Sequence, residues 1–176
     1  MAPPSLAFPS SGLPAPARTA LLVAAIGAAT LAGAWYFQLV VGLAPCPLCL
    51  EQRIPYYVGV PVALIAAFAA ARGYPKLARL GLGVAAVLMA IGAGLALYHA
   101  GIEWQWWAGP TACSGSAPAT GGNLLQGLKQ ARVVRCDEAA WRLFGISLAG
   151  WNVLIAGALA LTALRGALYG SSSVSQ

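Results

Sequence analysis

Four apolar stretches, each close to the ~20 residues with which a helix crosses a hydrocarbon core about 30 Å thick, decide what this chain can fold into. They cover 19–43, 54–71, 80–98 and 144–164 of the 176-residue sequence. The second is barely long enough, so its helix is expected to begin upstream, near Pro47 or Leu48, giving a span of 48–71. The stretches are rich in Ala, Leu and Gly and lack the apolar/polar alternation of barrel strands, so helices are the reading, with backbone polar groups satisfied inside each one. Composition agrees. Charged residues make up 8% and hydrophobic ones 60%, with a mean hydropathy of +0.75, whereas soluble domains carry about 25% charged residues. The expected fold is an all-α integral membrane protein: a four-transmembrane-helix bundle over 19–168, with a long outer loop that contains a short amphipathic helix.

Charge sets the expected orientation. Arg72, Lys76 and Arg79 crowd the short link between the second and third spans, Arg18 precedes the first and Arg165 closes the fourth. Positive-inside counting places these segments in the cytoplasm, together with both termini. By parity the turn at 44–47 and the long segment 99–143 lie outside. In the long segment Lys129, Arg132, Arg135 and Arg142 are partly offset by Glu103, Asp137 and Glu138. The net charge of +6 is therefore mostly topological, and no basic patch with interleaved aromatics points to nucleic acid. The Pro/Ser-rich tail 1–18 is expected to be disordered, as a cytoplasmic tail, with a second cytoplasmic tail at 169–176. Signal cleavage at Ala32-Gly33-Ala34 is not expected, because the apolar run continues to Leu43. Gly81, Gly83, Gly92 and Gly94 of the third span are read as sites of close helix packing.

All four cysteines, Cys46, Cys49, Cys113 and Cys136, fall in the segments placed outside, where disulfides persist. An even count permits two bridges in three connectivities. Cys46 and Cys49, separated by Pro47 and Leu48, can form a small-loop disulfide of the thioredoxin kind, and Cys113 with Cys136 would close a loop within one segment. A bridge over so few residues as Cys46 to Cys49 stabilises a fold little, which favours a redox role for that pair. With Pro47 as the first helical residue, Cys49 falls in the first turn, where free N–H groups and the helix dipole favour a thiolate. Arg53, four residues on, adds a cation on the same face. Standing alone, Arg53 would read as a snorkelling interface residue. A thiolate at the bilayer boundary needs an electron acceptor, and lipid-soluble quinone is available there.

The run CPLCLEQR, the second outer cysteine pair after it, and the stretches YHAGIEW (Tyr98 to Trp104) and CDEAAWRLFGISLAGWN (Cys136 to Asn152) together resemble the bacterial disulfide bond formation protein B family. The likeness covers nearly the whole chain after the tail. It implies a quinone-dependent thiol oxidoreductase of the bacterial inner membrane, with its cysteine pairs on the periplasmic side. By that resemblance a reduced periplasmic DsbA-like protein attacks Cys113 of a Cys113–Cys136 disulfide. Cys136 then attacks Cys46, and Cys49 is left facing ubiquinone or menaquinone. Arg53 is implied as the residue that polarises or positions the quinone ring, Gln52 belongs to the same motif, and His99 stands near the place of a family histidine at the quinone site. An interfacial histidine is the other reading of His99.

Between Cys113 and Cys136, residues 123–130 suggest the amphipathic helix, with Asn123 as cap and Leu124, Leu125 and Leu128 on one face, after a Gly/Ser-rich hinge at 114–122. Trp104, Trp106, Trp107 and Trp141 read as an interfacial belt, the first three also as candidates to line a substrate groove. Structural zinc is disfavoured because only one cysteine pair is closely spaced, so no metal is expected. A disulfide-stapled scaffold is disfavoured by Arg53 beside a helix-start thiol. A vitamin K epoxide reductase-like enzyme has its loop pair before the membrane pair, the reverse of the order here. A transporter would carry more ionisable residues in its spans.

Overall fold

The structure, a computed structural model, describes residues 13–110 and 135–169. Helix α1 covers Ala15–Leu39, a single turn α2 covers Pro47–Glu51, and α3 covers Ile54–Ala71. Helix α4 follows at Pro75–Glu103, a minimal hairpin pairs β1 (Arg142–Leu143) with β2 (Ile146–Ser147), and α5 covers Leu148–Tyr169. With α2 and α3 read as one span, four helices are long and apolar enough to cross a membrane. The expected all-α membrane bundle is what the chain forms.

Several boundaries differ from the sequence reading, each for a local reason. Ala15 to Arg18, assigned to the disordered tail, form the first turn of α1, entered from Pro14 with Pro16 just inside, where a missing N–H costs nothing. Helix α4 continues past Tyr98 to Glu103, because the apolar count stops at His99 while the backbone does not. The fourth span begins at Leu148 rather than Phe144. Phe144 and Gly145 both take positive φ (51° and 81°), the geometry of a two-residue hairpin turn, and Ser147 accepts the Gly150 N–H at 3.1 Å to start α5. The proposed amphipathic helix at 123–130 lies outside the described residues.

Small residues set how closely the helices approach. The main core is dominated by alanine: Ala20, Ala63, Ala66, Ala85, Ala156 and Ala163 pack around Leu82, Met89 and Leu159. A methyl group on Gly81 would come within 2.8 Å of the Ala66 Cβ, so α3 and α4 touch there only because the residue is glycine. Gly83 and Gly94 face open space, so the close-packing expectation fails for them. Large apolar side chains such as Leu22, Ile65, Phe68, Val87, Ile91 and Leu161 point outward, as lipid-facing residues do. Arg79 closes one end of the bundle by donating to the carbonyls of Ala167 (2.8 Å) and Leu168 (3.2 Å), the unpaired acceptors of the last turn of α5. Cys46, Cys49 and Cys136 lie at the other end.

Candidate functional site

The Cys-Pro-Leu-Cys segment builds the centre of the site by itself. Pro47 starts α2, and Cys46 is its N-cap, with extended backbone (φ −74°, ψ 163°). The Cys46 Sγ accepts the Cys49 N–H at 3.1 Å, so the spacing places both sulfurs at the mouth of one helical turn. Cys46 is buried and Cys49 half-buried, and both are free thiols. The hydrogen bond with the Cys49 thiol, reinforced by burial, pushes the Cys46 thiol well above its ordinary range. Pro55 has no N–H to offer the carbonyl of Glu51, so the helix is interrupted at Gln52 and Arg53 before α3 resumes.

Cys136 is disulfide-bonded and fully buried, in one cluster with Cys46, Leu48 and Ile102. Cys49 packs against the edge of this cluster. Cys113 lies outside the described residues.

His99, on α4, joins the two cysteine segments. Its Nε2 is 3.7 Å from the Cys46 Sγ, and the ring is hydrogen-bonded to the backbone of Cys136. Its Nδ1 meets the Gln52 Nε2 at 2.8 Å. Gln52 Oε1 in turn accepts from Asn152 Nδ2 at 2.8 Å, and Asn152 Oδ1 accepts from the Tyr56 hydroxyl at 2.6 Å. Glu103, one turn beyond His99, brings a carboxylate oxygen to 3.9 Å from Nε2, and its other oxygen is buried with no hydrogen-bond partner among the described residues. The ligand atoms of Cys46, Cys49 and His99 lie within 4.8 Å of one another, a donor set that a thiophilic ion could also use when both thiols are reduced.

Arg53 is one helical turn beyond Cys49, as expected, but its guanidinium is held by α1. It donates to Gln38 Oε1 at 2.7 Å and to the Ala34 carbonyl at 3.4 Å, and lies over the Trp35 ring at 5.4 Å. A cavity of about 300 Å³ lies beside these groups, lined by Cys49, Gln52, Arg53 and His99 together with Leu31 and Phe37 of α1 and Ile155 of α5.

A sequence model of the family "Disulfide bond formation protein DsbB" matches residues 16–165. The chain belongs to the disulfide bond formation protein B family. Relatives that carry that family name include proteins of Polaromonas naphthalenivorans (strain CJ2), 32% identical with 86% of this chain and 91% of the relative covered, and of Polaromonas sp. (strain JS666 / ATCC BAA-500), 33% identical with 85% and 89% covered. A third, from Saccharophagus degradans (strain 2-40 / ATCC 43961 / DSM 17024), is 32% identical, with 88% and 95% covered. No solved structure matches the chain. Membership makes this a multi-pass membrane protein of disulfide bond formation, an oxidoreductase role.

Of the residues singled out from sequence, the fold brings Cys46, Cys49, Gln52, Arg53, His99 and Cys136 to one place in this family member. It also recruits Tyr56, Asn152 and Glu103, which sequence reasoning passed over. Glu103 carried a legible signal, since it lies four residues after His99 and so on the same helical face. Asn152 is polar inside an apolar span, a signal of its own. Trp104, Trp106 and Trp107 are exposed and meet edge to face, and Trp107 stacks on Tyr98 and donates to its carbonyl at 3.0 Å, which suits an interfacial belt.

Proposed function

We propose that this chain reoxidises a periplasmic DsbA-like thioredoxin-fold protein and passes the electrons through its two cysteine pairs to membrane quinone. The observation that carries the reading is the burial of Cys136 against Cys46, beside a cavity that Cys49 and Arg53 line. In this scheme the partner's thiolate attacks Cys113 of a Cys113–Cys136 disulfide, forming a mixed disulfide and releasing Cys136. Cys136 attacks Cys46 of an oxidised Cys46–Cys49 pair, and Cys49 departs as the thiolate. The raised pKa of Cys46 suits this order, because it leaves Cys49 as the sulfur that carries negative charge. The partner's second thiolate resolves the mixed disulfide, leaving the partner oxidised and Cys113 as a thiolate. Cys113 attacks Cys136, re-forming Cys113–Cys136 and releasing Cys46, and the reduced Cys46–Cys49 pair would then give up two electrons as its own disulfide closes. Each round moves two electrons.

The residues around the cavity suit a quinone ring. Phe37, Leu31 and Ile155 offer apolar walls, and the Arg53 guanidinium, already ordered by Gln38 and Trp35, offers a fixed cation where a ring oxygen gains charge. When bound, quinone would accept two electrons and two protons. The cations at the far end favour cytoplasmic termini, which puts the cysteines on the periplasmic side of the inner membrane.

The test is anaerobic mixing of the purified protein with a reduced periplasmic DsbA-like protein and ubiquinone or menaquinone analogues, following quinone absorbance. Oxidation of the partner in step with quinone loss is expected, and Arg53→Ala should raise the quinone concentration needed. If the partner stays reduced with every analogue, the proposal is wrong.

A further inference from the structure

The path from Tyr56 through Asn152 and Gln52 to His99 joins residues from α3, α5, the α2–α3 break and α4 by three hydrogen bonds of 2.6 to 2.8 Å. We infer that Tyr56 and Asn152 are positioning residues that fix the tautomer of His99, so that Nδ1 is the bare acceptor and Nε2 presents its N–H to the Cys46 sulfur. This deepens the redox reading of the site but does not depend on which electron acceptor it uses.

The direction follows from the end of the chain. An amide can exchange its oxygen and nitrogen, so Gln52 and Asn152 could each be turned over, and the whole path would then run backwards. In that reversed path Tyr56 would accept from Asn152. Its own O–H would then lack an acceptor, since Asn152 is the one hydrogen-bond partner of that hydroxyl among the described residues. A buried donor left unmade costs more than a hydrogen bond gains. Tyr56 therefore donates, Asn152 turns its oxygen to Tyr56 and its NH2 to Gln52, and Gln52 turns its NH2 to Nδ1. What remains at Nε2 is an N–H with acceptors on every side: the Cys136 backbone, to which the ring is hydrogen-bonded, the Cys46 sulfur at 3.7 Å and a carboxylate oxygen of Glu103 at 3.9 Å. Every group in the path is matched in this direction.

The path orients and does not conduct. Side-chain amides relay a proton only through a high-energy imidic form, so two of them in series make a poor wire but a firm clamp. With Nε2–H toward sulfur, His99 offers Cys46 a hydrogen-bond donor and no base to take its proton, which fits Cys49 as the sulfur that carries the charge. The charged or titratable groups around this contact are Cys49 from α2, Arg53 at the start of α3, Glu103 from α4 and, from the segment around Cys136, Arg142, which acts on Glu103, with Arg135 and Glu138 lining the same cavity.

The sequence holds a single histidine, so 15N-histidine labelling of the full-length reduced protein in nanodiscs reports His99 without ambiguity. The wild type should show a neutral ring with its proton on Nε2. Tyr56→Phe keeps the shape but removes the donor that sets the direction, and should give a mixture of tautomers. Asn152→Asp replaces the amide by a group that only accepts. Gln52 must then turn its NH2 toward residue 152 and its oxygen toward His99, so the proton should move to Nδ1. Nε2 would be left bare beside Cys46, and a thiolate–imidazolium pair should form, lowering the pH midpoint of Cys46 alkylation by ~1–3 units in a Cys49→Ala background. A purely structural role for Tyr56 and Asn152 would move neither readout in these directions. A wild-type ring protonated on Nδ1, or an unchanged tautomer in both variants, overturns the inference. Absence of quinone reduction alongside the expected tautomers would overturn only the assigned electron acceptor.

Discussion

The two ends of the bundle solve opposite problems. At the Arg79 end the contacts are made by alanine and glycine: Ala17, Ala69, Ala70 and Ala78 form one small cluster, and Gly81 lies flat on Ala66. At the cysteine end lie all the buried polar and charged residues of the described chain, Gln52, Arg53, His99 and Ser147. Polar groups in a membrane protein are expensive to bury and are kept where they serve chemistry. The first end thus holds the helices together by close approach, and the second holds a set of side chains in one hydrogen-bonded arrangement. The two should fail differently when altered.

Cys49→Ser should show the largest effect and sharpen the contrast. Turnover should vanish, while the SDS unfolding midpoint stays at the wild-type value, because a half-buried hydroxyl replaces a thiol of similar size. A matching loss of stability would mean that the cysteine end also holds the fold. Gly81→Leu is the converse, and should destabilise the bundle by ~1–3 kcal/mol through overpacking against Ala66 while partner oxidation per folded molecule is retained. An unaltered unfolding midpoint in this variant would break the comparison.

The smallest effect is expected at Asp137, next to Cys136. Its hydrogen bond with Arg135 at 2.6 Å holds its carboxyl below the usual range, so any stabilisation it gives is present above its unfolded-state pKa and lost as pH falls through the lowered value. Both groups are solvent-facing, and solvent screening leaves little to lose. Asp137→Asn should leave the unfolding midpoint and its acid profile unchanged within error; a clear shift would extend the cysteine end into the loop.

Much of this was legible before the fold was known, for stated reasons. Span length and charge bias gave the bundle, since lipid leaves a chain few alternatives. Pro47 as a first helical residue gave the start of α2 and put Cys49 in its first turn, because those rules are local, whereas the break at Gln52 and Arg53 and the capping by the Cys46 sulfur were not read from it. The hairpin at 142–147 was missed because Phe144 is an apolar residue in a left-handed turn conformation, which hydropathy counts as membrane. The Tyr56–Asn152 contact spans 96 positions and depends on how α3 and α5 rotate against each other, which no local pattern encodes. The grip of Gln38 and Trp35 on Arg53 was hidden for the same reason: α1 contains no charge between Arg18 and its end to mark which face turns inward.

Cys46 is 2% exposed and Cys136 wholly covered, and this sets what can interfere with them. Small thiols dissolved in the surrounding water exchange with disulfides only where they can line up with a sulfur. Two sulfurs sealed in one apolar pocket are closed to that collision, whereas they remain neighbours of each other. In the proposed relay this covering does for electrons what a sheath does for a cable: the handover between the two pairs is shielded from short circuits, and traffic enters and leaves only at its ends.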